Sequence, residues 1–168
     1  IDNIKRMEDA GAGAVVLYSL FEEQVRIEQQ MLTYYKQNPT ATPADASAVF
    51  PARQQFHAGL DSYLAHVEQC KDTVGIPIIA SLNCNSLGGS WIDFARKIEA
   101  AGADALELNI YFIPTDINWT SEQIEDTYLT TVRAVKGAIS IPVAVKLVPY
   151  FTNMARMARR LDQAGANA

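Results

Sequence analysis

The chain has 168 residues, 49% hydrophobic and 20% charged, an ordinary globular composition with enough length to bury the core of one domain. A net charge of −5 and a pI near 5.0 leave no electrostatic footprint for nucleic acid. No apolar run reaches the roughly 18 residues of a membrane span and no signal pattern opens the chain. The expectation is a soluble, cytoplasmic protein with a small-molecule substrate and no membrane partner, whose start reads as truncated rather than processed; a homo-oligomer is allowed.

Residues 1–10 read as a helix with Ile1, Ile4 and Met7 on one face, running into Ala10-Gly11-Ala12 and a strand from Val15 to Ser19. A second helix spans about 21–36 with Phe21, Val25, Met31 and Leu32 as its apolar side. Residues 37–52 carry three prolines among small residues, the composition of a long loop, and their position suits a lid over the mouth of the domain. A helix over about 53–73, with Leu60, Tyr63, Leu64 and Val67 at helical spacing, leads into a strand from Gly75 to Asn83. Gly88-Gly89 breaks the chain, Ser90 with Asp93 marks the next helix start, Phe94 and Ile98 form its inner face, and Ala101-Gly102-Ala103 ends it.

The strand that follows, Ala105 to Phe112, is apolar except for Glu107 and Asn109, which share one face. Thr120-x-x-Gln123 is a capping-box pattern for a helix over 121–137, and the glycosylation-like Asn118-Trp119-Thr120 reads as its approach. A strand from Ile141 to Leu147 and a helix over about 152–164, with Met154, Met157, Ala158 and Leu161 inward, complete the series. Arg156, Arg159 and Arg160 recur at helical spacing as a solvated face. Cys70 and Cys84 lack any CxxC or histidine-ligand pattern, which predicts free thiols in a reducing compartment and no metal site.

Two junctions alternate. Ala-Gly-Ala recurs at 10–12, 101–103 and 164–166, and Ile-Pro-Ile/Val at 76–78 and 141–143. Four strands alternating with helices require right-handed parallel crossovers, which leaves a (β/α)8 barrel or an open doubly wound sheet. The open sheet usually carries a glycine-rich phosphate turn such as GxGxxG, and none occurs here. The α/β class with a TIM barrel is therefore expected, the chain covering roughly helix 1 to helix 5 as one partial-barrel domain, 1–168, without strands 1 and 6–8.

In a barrel the carboxyl ends of the strands form the active face, which places Ser19, Asn83, Asn109 and Lys146 there. A lysine on an inner strand face needs a partner. Lys146 either pairs with Glu107 of the neighbouring strand or aims its charge at a cofactor's electron-rich ring.

Ala103-Asp104-Ala105-Leu106-Glu107-Leu108-Asn109, followed by Ile141 to Tyr150, resembles the dihydroorotate dehydrogenase family, and is similar also to the flavin domain of dihydropyrimidine dehydrogenase. Ile79-Ala80-Ser81-Leu82 and Gly59-Leu60-Asp61-Ser62-Tyr63 extend the resemblance along most of the chain. It implies an FMN-dependent (β/α)8 barrel that moves a hydride between the flavin and a ring carbon–carbon bond of a pyrimidine. It also implies that Asn109 hydrogen-bonds the isoalloxazine, that Lys146 lies near its N1–O2 edge, and that Ser19 lines the same ring.

Departures fall on the substrate side. Where the family's cytosolic enzymes continue into Leu-Ser-Cys-Pro-Asn, with cysteine as base, this chain has Ile110-Tyr111-Phe112-Ile113-Pro114, and the serine base of the membrane-associated class is absent as well. Tyr18 replaces a usual lysine, and His57 stands near a substrate-binding asparagine. Tyr18, Tyr111, Cys84 and His57 have suitable chemistry to move a proton, each with a structural alternative as rim aromatic, core residue or buried thiol. The expectation is an FMN-dependent oxidoreductase with a changed substrate. The alternatives are an idle FMN-binding or assembly paralogue and a non-flavin aldolase using Lys146 as an amine.

Overall fold

The computed structural model describes residues 1–40, 42, 45, 49, 59–84, 90–111 and 113–168, with side chains for all of these but Cys84 and Ser90. In chain order they form α1 (Asp2–Asp9), β1 (Val15–Phe21), α2 (Glu22–Gln37), α3 (Leu60–Thr73), β2 (Ile78–Cys84), α4 (Ser90–Ala100), β3 (Ala105–Ile110), α5 (Ser121–Lys136), β4 (Val143–Lys146) and α6 (Met154–Gln163). Among the described residues no helix is long and apolar enough to cross a membrane. Most of the lid predicted at 37–52, and the part of the third helix predicted before residue 59, lie outside the described residues.

All strand pairs are parallel and the sheet order is β1-β2-β3-β4. Right-handed crossovers between strands added always on the same side put every helix on one face. A doubly wound sheet reverses its strand order at a switch point, and this one does not. The sheet is an arc of a barrel. Its helix-facing side is the core, with Leu20, Ile78, Ala80, Leu82, Leu106, Leu108 and Val143 all buried against Tyr63, Val67, Ile98 and Leu129. Val145 donates to the carbonyl of Ala168, whose own N–H bonds Val143, so the chain after α6 returns alongside β4 in the parallel pattern.

The two alternating junctions have distinct jobs. After α1, α4 and α6 the glycine of Ala-Gly-Ala takes a positive φ of 88°, 89° and 103°, which a Cβ would strain. Polar residues on one or both sides of these glycines reach sideways. Glu8 and Glu99, both two residues before Ala-Gly-Ala, accept N–H groups ahead of the Ile-Pro strands: Glu8 from Gly75 (2.7 Å) and Ile76 (3.2 Å), Glu99 from Ser140 (2.7 Å) and Ile141 (3.2 Å). Asp104 and Asn167, directly after Ala-Gly-Ala, accept from the first residues of the same strands, Ile78 at 2.7 Å and Val143 at 2.9 Å. Lys71 closes on Asp104 (2.7 Å) and Lys136 on Asn167 (3.3 Å), the two lysines standing equally far before Pro77 and Pro142. Strands entered through Ala-Gly-Ala supply the acceptors, and strands entered through Ile-Pro receive them from both sides.

Hydrogen bonds from Ser140 hold the Glu99 carboxyl below its ordinary range. Burial pushes the Asp104 carboxyl up, but Lys71 and the Ile78 N–H outweigh it and the net direction is down.

Among the described residues, the pairing of β1 with β2 carries an irregularity of register. Val16 pairs with Ile79 but Ser19 with Ser81, so three steps on β1 match two on β2. The Tyr63 hydroxyl, delivered by α3, fills the gap: it accepts from the Ser81 N–H at 2.9 Å and donates to the Ser81 carbonyl at 3.1 Å. Burial drives the Tyr63 hydroxyl strongly up, so it stays protonated and able to donate.

Several predicted faces are corrected. In α1 only Ile4 is buried while Ile1 and Met7 are exposed, and in α2 Val25 is buried but Leu32 is not. Phe21 is the last residue of β1 rather than the first of a helix. In α6 Met157 and Leu161 point inward, whereas Met154 and Ala158 are exposed. Arg160 is no solvated arginine: it pairs with Glu125 and Asp126 of α5. The strand predicted over 141–147 shortens to Val143–Lys146 because Ile141 is given over to Glu99 and Pro142 has no N–H. Thr120 and Gln123 do form the expected reciprocal cap of α5.

Tyr63→Phe leaves two buried backbone groups without partners and should cost about 2–4 kcal/mol in urea unfolding. Acid sensitivity should follow the lowered carboxyls. Their stabilisation is complete above the unfolded carboxylate pKa, about pH 4, and is lost as pH falls through the lower folded values. Glu99→Gln with Asp104→Asn should therefore flatten the loss of unfolding midpoint between about pH 5 and pH 3; an unchanged acid limb would contradict the assignment.

Candidate active site

Strand β3 alternates buried and half-buried residues, which sends Leu106, Leu108 and Ile110 to the helices and Ala105, Glu107 and Asn109 to the other face. Register then extends each inner residue into a row across the sheet. One row runs Ser19, Ser81, Glu107, Ala144; the next, toward the carboxyl ends, runs Phe21, Asn83, Asn109, Lys146. Three of the four predicted site residues, Asn83, Asn109 and Lys146, thus stand on adjacent strands at one level.

Ser19 lies one level deeper. Its hydroxyl is 2.7 Å from that of Ser81, which donates to the Glu107 carboxylate at 2.8 Å. Because the single Ser81 proton is committed to Glu107, Ser19 must donate to Ser81. This three-strand chain answers the question raised by Glu107: its partner is Ser81. Among the described residues no ion pair joins Lys146 to Glu107, because register puts Lys146 opposite Asn109, one level above.

The upper row is less satisfied. Asn83 is 8% exposed, and its side-chain oxygen is buried with no hydrogen-bond partner among the described residues. A buried amide oxygen left unpaired costs on the order of 1–3 kcal/mol, a cost that an arriving donor removes. Lys146 is exposed, so the row offers an acceptor, an amide and an ammonium side by side.

The residues considered for proton transfer scatter. Tyr18 turns toward the helices, its ring edge-on to Tyr63 at 5.3 Å and stacked on His66 at 5.7 Å. It is half exposed, and burial raises its hydroxyl pKa, helped by Cys70. His66 lies 3.7 Å from the buried Cys70 thiol, but burial lowers the imidazole and raises the thiol, which keeps both neutral rather than forming a thiolate–imidazolium pair. His66 is thus half-buried between Tyr18 and Cys70. Tyr111 follows β3 and is exposed. His57, Phe112 and the Cys84 side chain lie outside the described residues.

Sequence reasoning missed two features here. Ser81 was findable by the rule that singled out Glu107, since it stands two residues before Asn83 on the same face. The other is a cleft of about 440 Å³ between the segments that follow β3 and β4, walled by Ile113, Pro114, Ile124, Tyr128, Val148 and Phe151. No pattern marks it in advance, because its walls come from three separated stretches.

No family model matches the chain. Dihydroorotate dehydrogenase B (NAD+), catalytic subunit, from Anoxybacillus flavithermus is 32% identical over 133 residues, covering 77% of this chain and 42% of that protein. The subunit of the same name from Methanocella arvoryzae is 28% identical and covers 99% of this chain and 51% of its own length. The chain is a relative of the dihydroorotate dehydrogenases. It spans about half the length of these curated relatives. Among solved structures, a dihydrodipicolinate synthase from Bacillus anthracis superposes with a TM-score of 0.54 at 19% identity, covering 88% of this chain and 38% of its own. Identity that low speaks for the fold alone, and it agrees with the barrel arc of a dihydroorotate dehydrogenase relative.

The two rows should respond oppositely to truncation. Ser81→Ala strips Glu107 of its donor and should destabilise by about 1–2 kcal/mol. Asn83→Leu removes an unpaired buried oxygen and should leave the melting temperature unchanged or raised. A comparable loss in both variants would mean that Asn83 is already satisfied.

Proposed function

We propose that this chain is the flavin-holding part of an FMN-dependent oxidoreductase of the dihydroorotate dehydrogenase type, moving a hydride between the flavin and a ring carbon–carbon bond of a pyrimidine-like substrate. The observation that carries this is the Asn83–Asn109–Lys146 row with the buried, partnerless oxygen of Asn83. An isoalloxazine edge presents a ring N–H between two carbonyls, and the row answers it in kind: Asn83 accepts, Asn109 donates, and Lys146 sets positive charge where electron density would gather. FMN, when bound, supplies reversible hydride acceptance. The chain's own contribution is orientation and electrostatics. Ser81, fixed between Ser19 and Glu107, braces Asn83 from two residues below on the same strand face.

The intact protein should retain flavin absorbance after FMN addition and desalting, and Asn83→Leu and Lys146→Ala should each weaken that retention. Absence of flavin absorbance in the unaltered protein would overturn the reading.

A second reading, an idle FMN-binding paralogue, is favoured by one observation. The family's cysteine or serine base corresponds to Phe112, and the residues after it, Ile113 and Pro114, form apolar wall. Steady turnover of dihydroorotate or dihydrouracil with a dye acceptor would exclude it, whereas flavin retention without turnover of either compound would favour it.

A further inference from the structure

We infer that the cleft beside the row binds a neutral, apolar ring substituent of the substrate, where an acidic substituent would be rejected. The inference rests on the reading of the row as the reacting site. Val148 of the cleft stands two residues past Lys146, so their α-carbons are at most about 7 Å apart.

Its chemistry is restrictive. Ile113, Pro114, Ile124 and Val148 supply aliphatic wall, and Tyr128 and Phe151, edge to face at 5.2 Å, supply an aromatic corner shaped for a flat group. A volume of about 440 Å³ is that of a small-ligand site. Among the described residues the lining holds no lysine or arginine, and its one charged group there, Glu125, is already engaged by Arg160. An anion seated among these walls would lose its water and, among the described residues, meet only a guanidinium already committed to Glu125. Ser121 and Thr152 leave a few hydroxyl contacts for orientation. Ile113 and Tyr150, 67% and 80% exposed, stand at its edge with apolar surface toward water, which a bound apolar group would cover.

The test uses the intact protein and the neutral fluorophore N-phenyl-1-naphthylamine. Saturable binding is expected, with displacement by 5-benzyluracil and none by uracil or orotate at equal concentration. Ile113→Asp and Tyr150→Asp, both surface changes checked by circular dichroism, should each weaken the probe by about tenfold. No saturable binding, equal binding in both variants, or displacement by orotate would overturn the inference. None of these readouts needs flavin, so its failure is separate from failure of FMN retention.

Discussion

Side-chain oxygens at the amino ends of the strands are the constraint on which the rest of this arc depends. A strand that begins with proline lacks one donor, and the residues just before it cannot yet pair with a neighbour. Their N–H groups would be left to water at the point where parallel strands must be brought into register. Glu8 and Asp104 close on the entry to β2 from either side, and Glu99 and Asn167 do the same for β4. The alternation of Ala-Gly-Ala with Ile-Pro is therefore an alternation of giver and receiver. Each gripped strand needs a giver on both flanks, which ties every strand to the next.

Rigidity at that end leaves the opposite end free for chemistry. The deeper inner row, Ser19 to Glu107, is internally satisfied and belongs to the scaffold. One level higher, the unpaired Asn83 oxygen and the exposed Lys146 are poor choices for stability. Polar groups left short of partners at the carboxyl ends of barrel strands are what a ligand-binding mouth requires. The boundary between satisfied and unsatisfied inward polar groups, among the described residues, is thus one pleat of the sheet.

Strand order and helix positions were legible because each element carries its own period and punctuation: Thr120 with Gln123, the three Ala-Gly-Ala helix ends, and the polar pair Glu107 and Asn109 on an apolar strand. The grips were visible as residues but not as contacts, since Glu8 bonds Gly75 across a separation in sequence that no local pattern spans. Exposed positions such as Met154 and Leu32 were misplaced because helical spacing names a face without saying how wide the covering neighbour is. The row of Asn83, Asn109 and Lys146 followed from placing strand ends on one face, with Ser19 the residue that the register moved one level down, whereas the cleft depended on how the segments after two strands settle.

The extra residue in β1 has a wider meaning. Strict alternation from Val15 and Leu17 would send Ser19 to the helices; instead Leu20 is buried and Ser19 faces the inner row. The strand changes phase midway, and what fixes the new phase is a hydroxyl from α3 rather than another strand. The mouth consequently inherits its alignment from the outer layer of the barrel. A single hydroxyl from α3 thus stands at Ser81, the residue that links Ser19 to Glu107 and lies two positions before Asn83.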